Sequence, residues 1–144
     1  MEIRKYNNND FKNVVDILID SFPESSDKIS DYLINDTLLE LDSTKYIQLV
    51  AVENNIIVGY VLITRNNDPI IGHVNFWIDY LCVDKDYRGR GFAKSMLLEV
   101  EKIAKSENVL YLQLTSNRSR TIARKIYLDF GFTIRESDIF RKVL

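Results

Sequence analysis

One stretch of this chain limits its fold more than any other. Trp77-Ile78-Asp79-Tyr80-Leu81-Cys82-Val83 has the apolar, aromatic and β-branched content of a strand, and Asp84-Lys85-Asp86-Tyr87 carries it into Arg88-Gly89-Arg90-Gly91-Phe92-Ala93. Beyond that turn Phe92, Ala93, Met96, Leu97, Val100, Ile103 and Ala104 fall at helical spacing, with Lys94, Glu99, Lys102 and Lys105 between them. This pattern predicts an amphipathic helix from Gly91 to about Ser106, and with it a strand–turn–helix unit. A helix N-terminus presents unpaired backbone N–H groups and roughly half a positive charge, so it accepts an anion. Gly89 and Gly91 let that backbone approach the anion without an intervening Cβ, and Arg88 and Arg90 add charge. Such a turn suits a pyrophosphate. Taken alone, the same residues also fit a flexible surface turn with solvated charges.

The remaining elements alternate around this unit. Ile3 to Tyr6 reads as a short strand, and Asn7-Asn8-Asn9-Asp10 supplies N-cap chemistry before Phe11, Val14, Val15 and Leu18 recur at helical spacing. Phe22-Pro23 ends that helix, and a weaker helical pattern runs through Ile29, Tyr32, Leu33 and Leu38. Tyr46 to Val52 and Ile56 to Thr64 read as antiparallel strands joined at Glu53-Asn54-Asn55. Arg65 to Gly72 reads as a loop, and Val74 to Val83 as the third strand of this group. Leu110 to Thr115 alternates like a strand. Ile122, Ala123, Ile126, Tyr127 and Phe130 mark a last helix closed by Gly131, and Phe132 to Arg135 and Ile139 to Val143 read as final strands.

Bulk properties restrict the function classes. A chain of 144 residues with 46% hydrophobic and 28% charged residues fits one domain, 1–144, with no repeat or linker. At this length folding buries roughly 68–70% of the surface that the unfolded chain exposes. The net charge of -2 provides no global field toward nucleic acid or anionic lipid, so anion recognition has to be local. Cys82 is the only cysteine, which excludes an internal disulfide framework and a cysteine-rich zinc site. No apolar run is long enough to span a membrane, and Met1-Glu2-Ile3-Arg4-Lys5 lacks the apolar run of a secretory signal. A cytosolic protein is the expectation.

The residues around the turn carry a family resemblance. Arg88-x-x-Gly91-x-Ala93 resembles the Arg/Gln-x-x-Gly-x-Gly/Ala signature of the GNAT superfamily of acyl-CoA-dependent N-acyltransferases, and Ile78 to Asp84 resembles the strand before it. Asn117 followed by Ala123-x-x-x-Tyr127-x-x-x-Gly131-Phe132 resembles that family's later strand–helix–strand segment. The resemblance implies an α/β GNAT fold: a mixed, mostly antiparallel central sheet splayed at its middle and flanked by about four helices. It further implies that acyl-CoA lies in the opening between the strand ending at Val83 and the one ending near Thr115.

Roles follow from the same resemblance. The main-chain N–H groups of Arg88, Gly89, Arg90, Gly91, Phe92 and Ala93 would hold the CoA pyrophosphate, and the backbone of Leu81, Cys82 and Val83 would pair with the pantetheine arm like an added strand. The N–H of Val83 or its neighbour would stabilise the tetrahedral oxyanion, an effect often worth ~3 kcal/mol per donor. Tyr127 stands where the family often places the acid that protonates the departing thiolate. An alkylammonium has no lone pair, so the amine must lose a proton; Asp79 could take it through a water, or could instead bind the acceptor's charge. Asn117 and the basic run Arg118, Arg120, Arg124 and Lys125 would approach the nucleotide end of CoA, or form a solvated helix face. Leu81 and Val83 also have a plain packing role open to them as core, Tyr127 as an aromatic on a buried helix stripe, and Asp79 could be merely exposed at a strand position. Cys82 is expected to be a buried structural thiol, and His73, placed in a probable loop, neither base nor metal ligand.

The expected activity is therefore acetyl transfer from acetyl-CoA to a primary amine in a ternary complex, with no metal. A non-catalytic acyl-CoA-binding module is the alternative, and nucleic-acid binding a distant third. The acceptor is expected to be a small molecule rather than a protein, chosen by residues Asp10 to Leu41 and Arg65 to Asn75. Its identity, the acyl preference and the question of a homodimer are left open by the sequence.

Overall fold

The structure is a computed structural model and describes residues 1–25 and 41–144. Strand β1 (Glu2–Lys5) is tied to the helix after it by one carboxylate: Asp10 accepts two hydrogen bonds from the Arg4 guanidinium, at 2.8 and 2.9 Å, and one from the Asn7 N–H at 2.9 Å. Asn7 reciprocates as the N-cap, so the expected Asn-Asp cluster forms a capping box. Helix α1 (Phe11–Ser21) follows, burying Val14, Ile17 and Leu18 and ending at Phe22-Pro23. The helical pattern through Ile29, Tyr32, Leu33 and Leu38 lies outside the described residues.

Strands β2 (Tyr46–Glu53) and β3 (Ile56–Asp68) form the expected hairpin. Its two linking residues, Asn54 and Asn55, both have positive φ (49° and 64°), which matches the right-handed twist of the strands they join. Strand β3 is longer than its sequence suggests. Arg65, Asn66, Asn67 and Asp68 pair with Phe76, Asn75, Val74 and His73, so only residues 69–72 remain as a turn, and His73 opens strand β4 (His73–Val83) instead of lying in a loop. Asparagine and aspartate are poor strand formers, but the antiparallel register with β4 overrides that weak preference.

Helix α2 (Phe92–Ser106) and helix α3 (Thr121–Phe130) fall where their periodicity put them. Gly131 (φ 113°) stops α3, with the Phe132 N–H donating to the Tyr127 carbonyl at 3.0 Å. Between them β5 is a strand only over Leu112–Gln113, although backbone bonds between residues 110–111 and β4 extend the contact. The sheet order is β1-β2-β3-β4-β5, antiparallel except for the β4–β5 pair, with three helices among the described residues. This is the mixed, mostly antiparallel α/β sheet expected.

Alternation along β3 sends Val61 and Ile63 to one face with Met96, Leu97 and Val100 of α2, and Tyr60 and Leu62 to the other with Val14, Ile17 and Leu18 of α1. Each fully buried aliphatic side chain of this kind stabilises the fold by about 1.5–3 kcal/mol.

The two final strands do not form. Residues 132–135 and 139–143 belong to no strand, and Ile139 and Phe140 are 70% and 95% exposed. A strand requires a neighbour for its backbone donors and acceptors, and the tail pairs with no strand among the described residues.

Candidate active site

The site begins where β4 and β5 part. They pair only at Phe76 with Leu112 and Trp77 with Gln113; from Ile78 to Val83 β4 continues with β3 on one side and, among the described residues, no strand on the other. The Asp84 N–H donates to the Val58 carbonyl of β3 at 2.8 Å. Because backbone groups alternate sides along a strand, Leu81 and Val83 direct their N–H and C=O groups into the opening. The Val83 carbonyl there accepts a hydrogen bond from Arg88 Nε at 3.0 Å.

The turn that follows is built by short-range chemistry. Asp84 accepts the Asp86 N–H at 2.8 Å, Tyr87 packs its ring edge-on against Phe92 at 6.1 Å, and Gly89 and Gly91 take φ values of 76° and 85°. Those angles favour glycine. Gly91 is the N-cap of α2 and no side chain caps the helix, so the first-turn N–H groups are left to whatever approaches the turn. The arginine side chains are otherwise engaged. Arg88 and Lys85 both lie 3.6 Å from Asp20 of α1, while Arg90 donates to the Asp86 carbonyl at 3.1 Å and covers the Tyr87 ring. An anion placed at this turn would therefore meet mainly backbone N–H groups.

Asp79 occupies a bulge. The β3–β4 register passes from Leu62–Tyr80 to Ile63–Ile78 and leaves Asp79 unmatched, so the strand bends beside the opening. Its carboxylate accepts a hydrogen bond from the Thr64 hydroxyl. Partial desolvation holds its pKa above the ordinary carboxylate value, against the opposing pull of Thr64 and Lys45. Next to it the half-exposed Tyr80 meets Phe22 edge-on at 5.5 Å, and the Arg120 guanidinium lies 5.2 Å from the same ring. Phe22 thus joins the end of α1 to β4 and to the approach to α3.

Tyr127 projects from α3 with its ring half-buried against Phe132, 5.9 Å between centroids. Burial raises its pKa, with Arg120 opposing and Cys82 adding to the rise, so the hydroxyl keeps its proton at neutral pH. Cys82 is 4% exposed and its thiol is pushed up to about 11 by burial, which leaves no thiolate to act as a nucleophile. His73 lies at the far end of β4 from this cluster, and among the described residues no group of His, Cys, Asp and Glu is arranged to hold a metal. Asn117 spends its side-chain oxygen on the N–H and hydroxyl of Ser119, both at 2.9 Å, shaping the turn into α3.

The structure therefore gathers Asp79, Leu81, Cys82, Val83 and the 88–93 turn along one strand and its exit, while Tyr127 stands on α3 and packs against the same apolar cluster as Leu81 and Val83. Asp20, Phe22, Lys45 and Thr64 join them without a signal in the sequence. Phe22 was legible only as a helix stop and Thr64 only as a strand residue.

The partly splayed sheet, whose β4 edge runs into a glycine turn and an uncapped helix, gives an α/β fold with an anion-accepting strand–turn–helix unit. A sequence profile described as the Acetyltransferase (GNAT) family matches residues 11–132, and the chain belongs to that family. No curated protein matches the sequence. Among solved structures, it is similar to a ribosomal-protein-alanine N-acetyltransferase from Brucella melitensis biovar Abortus 2308, with 21% identity, 99% and 100% of the two chains covered and a TM-score of 0.82. It is also similar to AAC(6')-Iy in complex with the bisubstrate analog CoA-S-monomethyl-acetylneamine, at 18% identity, 99% and 97% coverage and TM-score 0.82. A transcriptional regulator from Bacillus halodurans C-125 gives 20% identity, 99% coverage of both chains and TM-score 0.84. At such identities the likeness is one of fold.

Proposed function

We propose that this protein is an N-acetyltransferase that moves an acetyl group from acetyl-CoA directly to a primary amine, both bound at once. The observation that carries the reading is the continuity of two backbone surfaces: the edge of β4 at Leu81 and Val83, which no strand among the described residues covers, runs straight into the uncapped N-terminus of α2. One surface suits an extended amide-bearing arm, the other a diphosphate, and they meet in the order in which coenzyme A carries those groups.

In this reading the N–H groups from Arg88 to Ala93 hold the pyrophosphate, and Leu81 to Val83 pair with the pantetheine arm. The Val83 N–H polarises the thioester carbonyl. Asp79 accepts the amine's proton through water, and its raised pKa brings it closer to that task than an ordinary carboxylate. The amine lone pair forms the C–N bond and pushes the carbonyl electrons onto oxygen; their return breaks the C–S bond, and Tyr127 gives its proton to the leaving sulfur. The acceptor enters past Asp79, Tyr80 and Phe22, where a carboxylate and two aromatic rings suit a small cationic amine. A fold neighbour in complex with an acetylneamine-based bisubstrate analog supports a small-molecule acceptor.

The test is release of free thiol from acetyl-CoA against a panel of amines. Amine-dependent release supports the proposal. Thermal stabilisation by CoA without turnover of any amine would make the chain a binding module, and no heat with millimolar CoA in a calorimeter would remove both readings.

A further inference from the structure

Two cations stand beside the candidate acceptor patch on fixed mounts. Arg120 is the N-cap residue of α3: its N–H donates to the Asn117 carbonyl at 3.0 Å, its carbonyl accepts the Arg124 N–H at 3.0 Å, and its guanidinium lies over the Phe22 ring at 5.2 Å. Lys45 is held by the turn at Asp42, whose carbonyl accepts its N–H at 3.1 Å, and by Arg65, whose N–H donates to the Lys45 carbonyl at 2.7 Å. Arg65 is fixed in turn by hydrogen bonds to Glu107 at 2.7 and 2.9 Å. Among the described residues, neither the Arg120 guanidinium nor the Lys45 ammonium forms an ion pair with a carboxylate.

Both cations flank Asp79. Lys45 precedes Tyr46, which is paired with Thr64, and the Thr64 hydroxyl is bonded to the Asp79 carboxylate, which feels the Lys45 charge. On the other side Tyr80, next in β4, meets Phe22 edge-on, and the Arg120 guanidinium lies on Phe22. Asp20, two residues before Phe22, is already met by Lys85 and Arg88. The patch thus offers a carboxylate to an ammonium and sets two unneutralised cations beside it. A second ammonium on the acceptor would be repelled, because a unit charge about 6 Å away is worth roughly 3- to 100-fold in affinity. An anionic group would gain the same factor. A guanidinium stacked on a ring also keeps its N–H edge free, and that planar fork matches the oxygens of a carboxylate or phosphate.

We infer that Arg120 selects the acceptor: an amine that also carries a carboxylate or phosphate, with its ammonium end toward Asp79 and its anionic end on the Arg120 guanidinium, while Lys45 turns away acceptors that bear a second positive charge. This rests on the acetyltransferase reading and narrows it, since Asp79 and the two rings by themselves admit any small cationic amine. Arg120 acts by binding and orienting the acceptor and exchanges no proton, because a guanidinium stays charged throughout the working pH range.

The test compares thiol release from acetyl-CoA with α-amino acids against their own carboxamides, with phosphoethanolamine against ethanolamine, and with a diaminoalkane; the first two pairs distinguish a carboxylate from a phosphate. An anionic member should exceed its neutral partner about 10-fold or more in kcat/KM. Arg120→Met should raise the KM of that substrate about 10- to 100-fold with kcat largely kept, Arg120→Lys should recover part of the loss, and the calorimetric affinity for CoA should hold in both. Lys45→Met should raise kcat/KM for the diaminoalkane. Preference for the diaminoalkane or for the neutral members overturns the inference and leaves the acetyltransferase reading standing. So does an Arg120→Met variant that keeps the preference, or one that loses CoA affinity in place of acceptor affinity, which would put the guanidinium on the coenzyme. Thiol release with none of the amines overturns both readings together.

Discussion

Replacing Gly91 by alanine and by glutamate, with the same changes at Gly72 as a reference, separates a glycine's conformational role from its place at the head of α2. Both glycines have positive φ, 85° and 68°, and an added Cβ at either would meet nothing within 4 Å. Alanine therefore costs backbone strain and no clash, roughly 1–2 kcal/mol for a residue with a Cβ held in the left-handed region. For a chain of 144 residues the unfolding entropy is about 0.3 kcal/mol per degree, so each alanine should lower Tm by about 3–7 °C. Glutamate distinguishes the two positions. At 91 its carboxylate would stand beside the amides proposed for the diphosphate, and a charge about 6 Å from a phosphate is worth roughly 0.7–3 kcal/mol at effective dielectric constants between about 80 and 20. That is on the order of 3- to 100-fold in CoA affinity for each phosphate charge. Melting curves and calorimetric titration with CoA measure both effects: Gly91→Glu should lose CoA affinity and Gly72→Glu, in the β3–β4 turn, should keep it. Equal affinity in the two glutamate variants would refute the placement of the diphosphate, and an unchanged Tm in Gly91→Ala would refute the strain argument.

Tyr127→Phe keeps the ring against Phe132, so stability should hold while turnover at saturating acetyl-CoA falls about 100-fold with CoA affinity intact; unchanged turnover removes Tyr127 as the acid. Asp79 has a raised folded pKa, so its ionised form costs the fold stability as pH rises through that value. Asp79→Asn should consequently be at least as stable as the wild type in urea at pH 7 while losing turnover and the acid limb of the rate profile, and a retained limb would clear Asp79 of the base role. Asp10 has the opposite sign: the Arg4 hydrogen bonds lower its pKa, so its contribution is present above about pH 3.9 and lost as pH falls through the folded value. Arg4→Met should cost about 2–4 kcal/mol at pH 7, and the gap to wild type should narrow under acid; a gap that does not change with pH would contradict the pairing. Gly59→Ala should cost about 1–3 kcal/mol by overpacking and also weaken CoA binding, read by melting and calorimetry.

What was legible in the sequence was what local chemistry decides. Helix α2 shows in its periodicity, the β2–β3 hairpin in Asn54-Asn55, and the end of α3 in Gly131, because each depends on residues a few positions apart. Strand β3 was cut short because Asn66, Asn67 and Asp68 favour turns in isolation, and only pairing with Asn75, Val74 and His73 keeps them extended. The bulge at Asp79 is hidden for the same reason: it is a mismatch between two strands, not a property of either. Asp20 and Phe22 reach the site from α1, far away in sequence, so no motif could announce them. The tail from Phe132 alternates like a strand but forms none, because alternation carries no information on where a pairing partner lies.

One of the contacts that position the turn and the open strand depends on a missing side chain. Gly59 is paired with Val83 across β3 and β4, and a Cβ there would meet Met96 Cε at 2.8 Å and the Cys82 carbonyl oxygen at 3.2 Å. The missing side chain therefore lets α2 settle onto the sheet at the level where β4 leaves it. Met96 is fully buried and lies one turn into α2, so its height above β3 sets the height of the helix N-terminus above the strand's free edge. A methyl at 59 is accommodated by turning the flexible end of Met96, which repacks its contact with β3, and by moving the Cys82 carbonyl a few tenths of an ångström, which shifts the strand between Leu81 and Val83. The second movement displaces the strand half of the proposed coenzyme surface relative to the helix half. For that reason a residue far from any reacting atom should affect stability and CoA affinity together, whereas Gly72→Ala, strained but remote, should affect only the first.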